Sequence, residues 1–257
     1  SFDVANKYAI QCAQDEGMTF IPPYDDELVM AGQGTIANEI LRQWRDVEYV
    51  FVAVGGGGLI AGVAAYLGDV APHVKVIPVE YDESACLKAA FEANERVILP
   101  SVGLFADGTA VAQIGAKPFD VIRLQKSDNS GPIVERDVVL VNTDEICAAI
   151  KDTYDECRSI VEPSGAMALA GIKKYVAEHG IENKNMVSIV CGANMNFDRL
   201  RYIAERTELG ERKEAIFAVT IPEEKGSFLN FCRALQGRNI TEFNYRASTS
   251  SAAQVFV

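Results

Sequence analysis

The chain has 257 residues and a formal net charge of −12, from 24 Lys+Arg against 36 Asp+Glu. Hydrophobic residues make up 49% of it, which excludes a disordered chain and suffices for a sizeable core in one large domain or two smaller ones. An acidic chain repels phosphate backbones, and its basic residues cluster no further than pairs such as Lys173–Lys174 and Arg212–Lys213, so nucleic acid is not expected as a partner.

No apolar run reaches the ~18 residues of a membrane span, and the start, Ser1-Phe2-Asp3-Val4, has no signal-peptide pattern. There is no initiator Met, and Gln254–Val257 reads as the middle of a strand, so both ends are expected to be cut. The six cysteines, at 12, 86, 147, 157, 191 and 232, contain no C-x-x-C pair. That argues against a zinc site or disulfide framework and for a reducing compartment. The two histidines are His73 and His179, the latter standing before Gly180 at an expected helix end. A histidine-based triad is disfavoured, and an enzyme built on this chain would take its chemistry from a cofactor.

From the N-terminus, a helix is expected over 4–16 with Asp3 as N-cap, then a short strand Thr19-Phe20-Ile21 stopped by Pro22-Pro23. A helix over Thr35–Trp44 is entered through Gly32-Gln33-Gly34. Tyr49–Val54 is a continuous apolar run, the mark of a strand buried on both faces. Four glycines follow, then a helix over Leu59–Leu67, a strand over Lys75–Glu80 and a helix over Ser84–Asn94. This is the βαβ alternation of a parallel sheet, an α/β fold.

Residues 101–118 show no period, and 126–132 read as a surface loop. A strand at Val138–Val141 precedes a helix with Asn142 and Glu145 as capping box, whose apolar positions 146, 150, 154 and 157 share a face. That helix is expected to end near Glu162-Pro163. Ser164 is placed to cap the next, which is rich in small residues (Ala166, Ala168, Ala170, Gly171) and should pack closely. Met186–Cys191 reads as another buried strand.

Beyond residue 205 the character changes. Residues 206–257 hold seven basic and six acidic residues, a net of +1, so the preceding 205 carry −13. A strand Ala215–Ile221 and a turn from Pro222 lead to a helix Phe228–Gln236, capped by Ser227 and closed by Gly237. Strands Ile240–Tyr245 and Ala252–Val257 follow. The order β-α-β-β is the first two-thirds of a ferredoxin-like module. Two domains are therefore expected, 1–205 and 206–257, the second stopping after its third strand.

Four segments could carry chemistry. Gly55-Gly56-Gly57-Gly58-Leu59 joins a buried strand to a helix. Glycines let the backbone turn several N–H groups towards one spot, and the helix start adds its own, which suits a phosphate. A flexible linker is the plainer alternative, and a buried strand-to-helix junction argues against it. No Gly-Lys-Ser/Thr of a Walker loop is present. A dinucleotide fingerprint would need glycine where Ile60 or Ala61 stands, but Glu80 lies where a ribose-binding acid would sit, which keeps a nicotinamide or flavin reading open. Cys191 ends a parallel strand, where it could meet a cofactor heteroatom or be a buried structural thiol. Glu162, before Pro163-Ser164-Gly165, could be a cofactor partner or a solvated loop residue. Gly103–Gly108 is a loop that approaches a ligand or simply turns.

In their joint order, seven segments resemble the biosynthetic threonine ammonia-lyase (threonine dehydratase) family, a branch of the fold-type II pyridoxal-phosphate enzymes. They are AGQGT (31–35), VGGGGLIAGVAAY (54–66), VGLFADGTAV (102–111), EICAAIKD (145–152), EPSGAMALAGIKKY (162–175), GANMNFDRLRY (192–202) and IPEEKGSFLNFC (221–232). The resemblance implies a parallel-sheet domain for the cofactor and an ACT-like regulatory domain. It implies that Gly55, Gly56, Gly57, Gly58 and Leu59 hold the phosphate of pyridoxal phosphate. Cys191 would face the pyridine nitrogen, and Gly108 and Glu162 would line the cofactor's other edge. The implied reaction converts L-threonine, or L-serine in its place, by β-elimination. Threonine gives 2-oxobutanoate and ammonia on the way to isoleucine, which acts as effector on a homotetramer in cytoplasm or organelle.

The family's Schiff-base lysine lies in an S-F-K-x-R-G-A-like segment, and its substrate-carboxylate loop is S-G-N-H-A-Q-like. Neither occurs here, and Lys75, Lys88, Lys117, Lys151, Lys173 and Lys174 sit in no matching motif. The chain is accordingly expected to be a C-terminal portion, inactive alone. Residues 119–137 look longer than the family's usual span, with Asp128–Pro132 a surface insertion of no inferred role. A nicotinamide-dependent oxidoreductase and a non-catalytic amino-acid sensor remain as rivals.

Overall fold

The computed structural model describes residues 2–210, 215–247 and 252–257. The chain divides into two compact units, Ser1–Thr207 and Glu208–Val257. The larger holds a four-stranded parallel sheet of order β3-β2-β1-β4, with β1 Tyr49–Ala53, β2 Lys75–Tyr81, β3 Val139–Val141 and β4 Met186–Ser188. Tyr49 pairs with Lys75 on one side and Met186 on the other, and Val79 pairs with Val139.

Both faces of the sheet are covered, which is why its central strands read as unbroken apolar runs. Successive side chains alternate between the faces. Val50, Val52, Val54 and Val76 pack with α2 Glu27–Gln43, α3 Gly58–Val70, α4 Cys86–Ala93 and α5 Ala116–Ile122. Phe51, Ala53, Ile77, Val79 and Tyr81 pack with α6 Thr143–Cys157 and α7 Pro163–His179. Crossover α3 therefore runs from β1 to β2 over one face, and α7 leads to β4 over the other. The strand order reverses beside β1, and crevices that bind ligands open at the carboxyl ends of strands at such a point.

Several boundaries differ from the sequence reading. Helix α1, Phe2–Glu16, already includes Asp3, which therefore is not its N-cap. Thr19-Phe20-Ile21 pairs with no strand among the described residues and runs as irregular chain into the two prolines. Helix α2 starts eight residues before Thr35. Asp26 caps it, accepting from Leu28 N at 2.9 Å and Val29 N at 3.2 Å, so both glycines of 32–34 lie inside the helix. Helix α5 appears where no period was visible, because its cap is remote: Asp25 accepts from Ala116 N at 3.0 Å and Lys117 N at 2.8 Å.

The Asn142–Glu145 capping box forms as expected. Helix α6 nevertheless stops at Cys157 and buries Ile146, Cys147, Ala149, Ile150 and Thr153, leaving Tyr154 and Cys157 exposed. Strand β4 is shorter than expected and only half-buried, because it lies at the sheet edge. The loop 126–132 is tied down at its base, with Lys126 N to Gly131 O and Ser127 N to Gly68 O both at 2.9 Å. An unexpected helix, α8 Phe197–Gly210, follows β4. No helix among the described residues is long and apolar enough to cross a membrane.

The smaller unit contains β5 Ala218–Pro222, α9 Ser227–Ala234, β6 Asn244–Ala247 and β7 Ala252–Phe256. Gly226, not Ser227, holds the N-cap position of α9, and Pro222 ends the strand instead of following it. The β-α-β-β succession is as expected. Strand β7 lies between β5 and β6, antiparallel to both, which is the split βαβ arrangement of the ferredoxin-like module. Its core is small: Ile221, Ala253 and Val255, with Val219, Phe231 and Val257 packed against them.

Candidate functional site

The tetraglycine segment lies at the carboxyl end of β1. Val54 N donates to Val79 O at 2.8 Å, carrying the ladder one residue past the strand before the chain turns. Gly57 supplies the turn with φ +88°, where a side chain would be strained. A Cβ on Gly56 would fall under 3.0 Å from the Tyr24 ring, and one on Gly55 would fall 2.8 Å from Thr109 Cα. Among the described residues, no carbonyl or side chain accepts from the N–H groups of Gly55 to Leu59. These donors, with the positive end of α3, form a concavity suited to an anion.

The loop is held from behind. Gly115 N donates to Gly56 O at 3.0 Å, and the buried Cys86 thiol donates to Gly55 O at 3.4 Å. Cys86 opens α4, and the cap of that helix is Glu80, which accepts from Leu87 N at 2.7 Å and Lys88 N at 2.9 Å. Glu80 is fully buried, and burial pushes its carboxyl up to about 7 despite those two bonds. Both carboxylate oxygens are thus committed to a helix start. The ribose role that its spacing allowed is not available to it.

A cavity of about 420 Å3 opens in front of the loop. It is lined by all eight residues singled out from the sequence: Gly55, Gly56, Gly57, Gly58, Leu59, Gly108, Glu162 and Cys191. Glu162 stands at the N-cap position of α7, its Oε2 accepting from Asn194 N at 3.2 Å. Burial, and then the Asp107 charge, raise its carboxyl above the usual range, opposed by the Asn194 bond. Burial, and then the Glu162 charge, push the Cys191 thiol up, so it stays neutral. The loop carrying Gly108 is braced by Arg199 of α8, which meets Asp107 Oδ1 and Leu104 O at 3.2 Å each. Among the described residues, neither a lysine nor a histidine lines the cavity.

Sequence reasoning missed several wall residues. Ser164 does not cap α7, because Pro163 takes the first helical position and leaves the cap to Glu162. Pro163 itself was the signal. Gln33 and Thr109 lie inside the AGQGT and VGLFADGTAV segments but were given no role there, and Tyr24 carries no local motif and comes to the wall only through tertiary packing. Gly192 has φ +87°, and a Cβ there would fall under 3.0 Å from Glu162 Oε1. Gly192→Ala is therefore expected to displace Glu162 from the wall. It should lower the melting temperature by several degrees and weaken pyridoxal phosphate binding at least tenfold, read by calorimetry and absorbance titration.

Residues 1–192 match the family described as pyridoxal-phosphate dependent enzyme, and residues 205–257 match the C-terminal regulatory domain of threonine dehydratase. The chain is 51% identical over 257 residues to the biosynthetic L-threonine dehydratase of Salmonella typhimurium, covering 100% of this chain and 48% of that protein. It is 49% identical over 260 residues to the mitochondrial threonine dehydratase of Schizosaccharomyces pombe, covering 100% of this chain and 42% of that one. The processed threonine deaminase isoform 2 of Solanum lycopersicum superposes with TM-score 0.74 at 44% identity, covering 81% of this chain and 55% of that one. The chain spans about half the length of the curated relatives it matches. These matches set aside the nicotinamide-dependent reading. The chain belongs to the pyridoxal-phosphate dependent enzyme family.

Proposed function

We propose that this chain is the cofactor-binding portion and regulatory start of a threonine ammonia-lyase, which converts L-threonine to 2-oxobutanoate and ammonia. The observation that carries this reading is the convergence of the glycine loop, Gly108, Glu162 and Cys191 on one cavity. The unpaired N–H groups of Gly55 to Leu59 fit a phosphate, and the glycine cradle has no room for a Cβ. Residues 1–205 form the catalytic part and 206–257 the regulatory part.

Pyridoxal phosphate, when bound, supplies the electron sink that lets an amino acid lose its Cα proton and then its β-hydroxyl. The chain's own residues anchor and tune it. Gly55, Gly56, Gly57, Gly58 and Leu59 hold the phosphate. The neutral Cys191 thiol faces the ring nitrogen without the negative charge that would favour protonating it, which suits elimination over transamination. Glu162 and Gly108 line the other edge, where burial raises the Glu162 carboxyl above its usual range. L-serine, one methyl smaller, is the alternative substrate of the same chemistry.

The small unit is read as a sensor of isoleucine, and the whole protein as a homotetramer. The compartment is the cytoplasm or an organelle, in line with relatives named mitochondrial and chloroplastic. Absorbance titration tests the cofactor: pyridoxal phosphate is expected to bind and a nicotinamide dinucleotide is not. Assay of the protein carrying this chain should yield 2-oxobutanoate from L-threonine. Dinucleotide binding in preference to pyridoxal phosphate would overturn the cofactor, and absence of 2-oxobutanoate would overturn the reaction.

A further inference from the structure

Ser164 is the second residue of α7 and is 3% exposed, yet its Oγ has no hydrogen-bond partner. A buried hydroxyl left in this state costs stability, and it calls for an explanation. Helix capping is not one, because Glu162 occupies the cap position. Ser164 lines the 420 Å3 cavity together with Glu162 and Cys191. Gly108 faces it: a Cβ on Gly108 would sit 3.0 Å from Ser164 Oγ and 3.3 Å from Glu162 Oε1.

Thr109 shares the wall, but its hydroxyl is engaged with Ala106 O at 3.0 Å and Met167 Sδ at 3.4 Å. Ser84 is another buried serine without a partner, and it does not line the cavity. Ser164 alone among the described serines and threonines combines burial, an unmet hydroxyl and a place on the cavity wall.

We propose that the Ser164 hydroxyl is a binding contact, completing its hydrogen bonding on a heteroatom of the ring, or of a ring substituent, of the bound pyridoxal cofactor. This rests on the cofactor reading above. It adds that the phosphate is not the partner, since Ser164 stands with Glu162, Cys191 and Gly108 at the ring edge. The wall therefore carries an unmet hydroxyl that ligand binding satisfies.

The test combines melting of the ligand-free chain with titrations of pyridoxal phosphate and of pyridoxal. Ser164→Ala removes the unmet group, so its ligand-free melting temperature should rise by about 2–4 °C. The same variant should bind both ligands about five- to tenfold more weakly. Ser164→Cys, of similar shape but with a weak donor, should fall between. A Ser164→Ala chain that melts lower and binds like the parent would overturn the proposal in favour of a packing role. A loss for pyridoxal phosphate but not for pyridoxal would overturn the ring assignment. Failure of the unsubstituted chain to bind either ligand would overturn the cofactor reading itself and this contact with it, a result separable because it precedes any substitution.

Discussion

Replacing Gly62 by alanine is expected to cost the large unit about 3 kcal/mol or more and to abolish cofactor binding. Gly62 lies on α3 where it crosses α2. Its added Cβ would fall under 3.0 Å from the carbonyl oxygen of Met30 and 2.9 Å from Gly34 N. Both are backbone atoms inside a helix, so no side chain can rotate away. A Cβ on Gly34 would in turn meet Gly62 O at 3.1 Å. The paired glycines let two helix backbones touch, and a methyl group must push the helices apart. Gln33 and Ile36 of α2 also line the cavity, so the same displacement reaches the site. Gly32 is the control. It sits inside the same helix with nothing within 4 Å of its would-be Cβ, so Gly32→Ala should stabilise the chain by about 0.5–1 kcal/mol. Denaturant titration of both variants decides the matter, and a Gly62→Ala chain within 1 kcal/mol of the parent would overturn it.

The same crossing shows what the sequence reveals and what it withholds. Strands buried on both faces announce themselves, as Tyr49–Val54 does, because neither face needs polar residues. The glycine loop was legible for a related reason: it sits where a parallel strand ends. Position alone left Cys191, three residues past the end of β4, open between a ligand contact and a buried structural thiol, and only the resemblance gave it a role. The glycines of 32–34 misled, because glycine reads as a helix boundary until a second helix is known to need the space. Asp26 followed by Glu27 was the better signal of the true start. Helix α5 could not be found locally, since Asp25 caps it from about 90 residues upstream in chain order. Thr19-Phe20-Ile21 has strand-forming side chains but no partner strand among the described residues, and a strand exists only through its pairing. Glu80 was correctly seen at a strand end. Its task was misread because spacing cannot tell a carboxylate facing a ligand from one turned towards a helix behind the sheet.

Raising the pH from about 4.5 to above 7 is expected to cost the fold about 3 kcal/mol through Glu80 alone. Its carboxyl titrates near 7 in the folded chain against 4.5 for an unperturbed glutamate, with burial the dominant cause. Below about pH 4.5 the group is protonated in both states and contributes no difference. Between 4.5 and 7 the unfolded chain releases its proton while the folded chain keeps it, so stability falls as pH rises. Above 7 both states are ionised and the full cost remains. Lys88, on α4, and the helix start soften the penalty without removing it. Glu80→Gln is free of this titration but can accept from only one of Leu87 N and Lys88 N, a fixed loss of about 1 kcal/mol. The variant should therefore be no more stable than the parent near pH 5 and more stable near pH 8. The difference should swing by about 2–3 kcal/mol between them, measured by denaturant unfolding at each pH. A pH-independent difference would show that Glu80 is not the group titrating. Because α4 begins with Cys86, whose thiol supports the Gly55 carbonyl, the variant should also weaken pyridoxal phosphate binding at both pH values, even where it stabilises the fold.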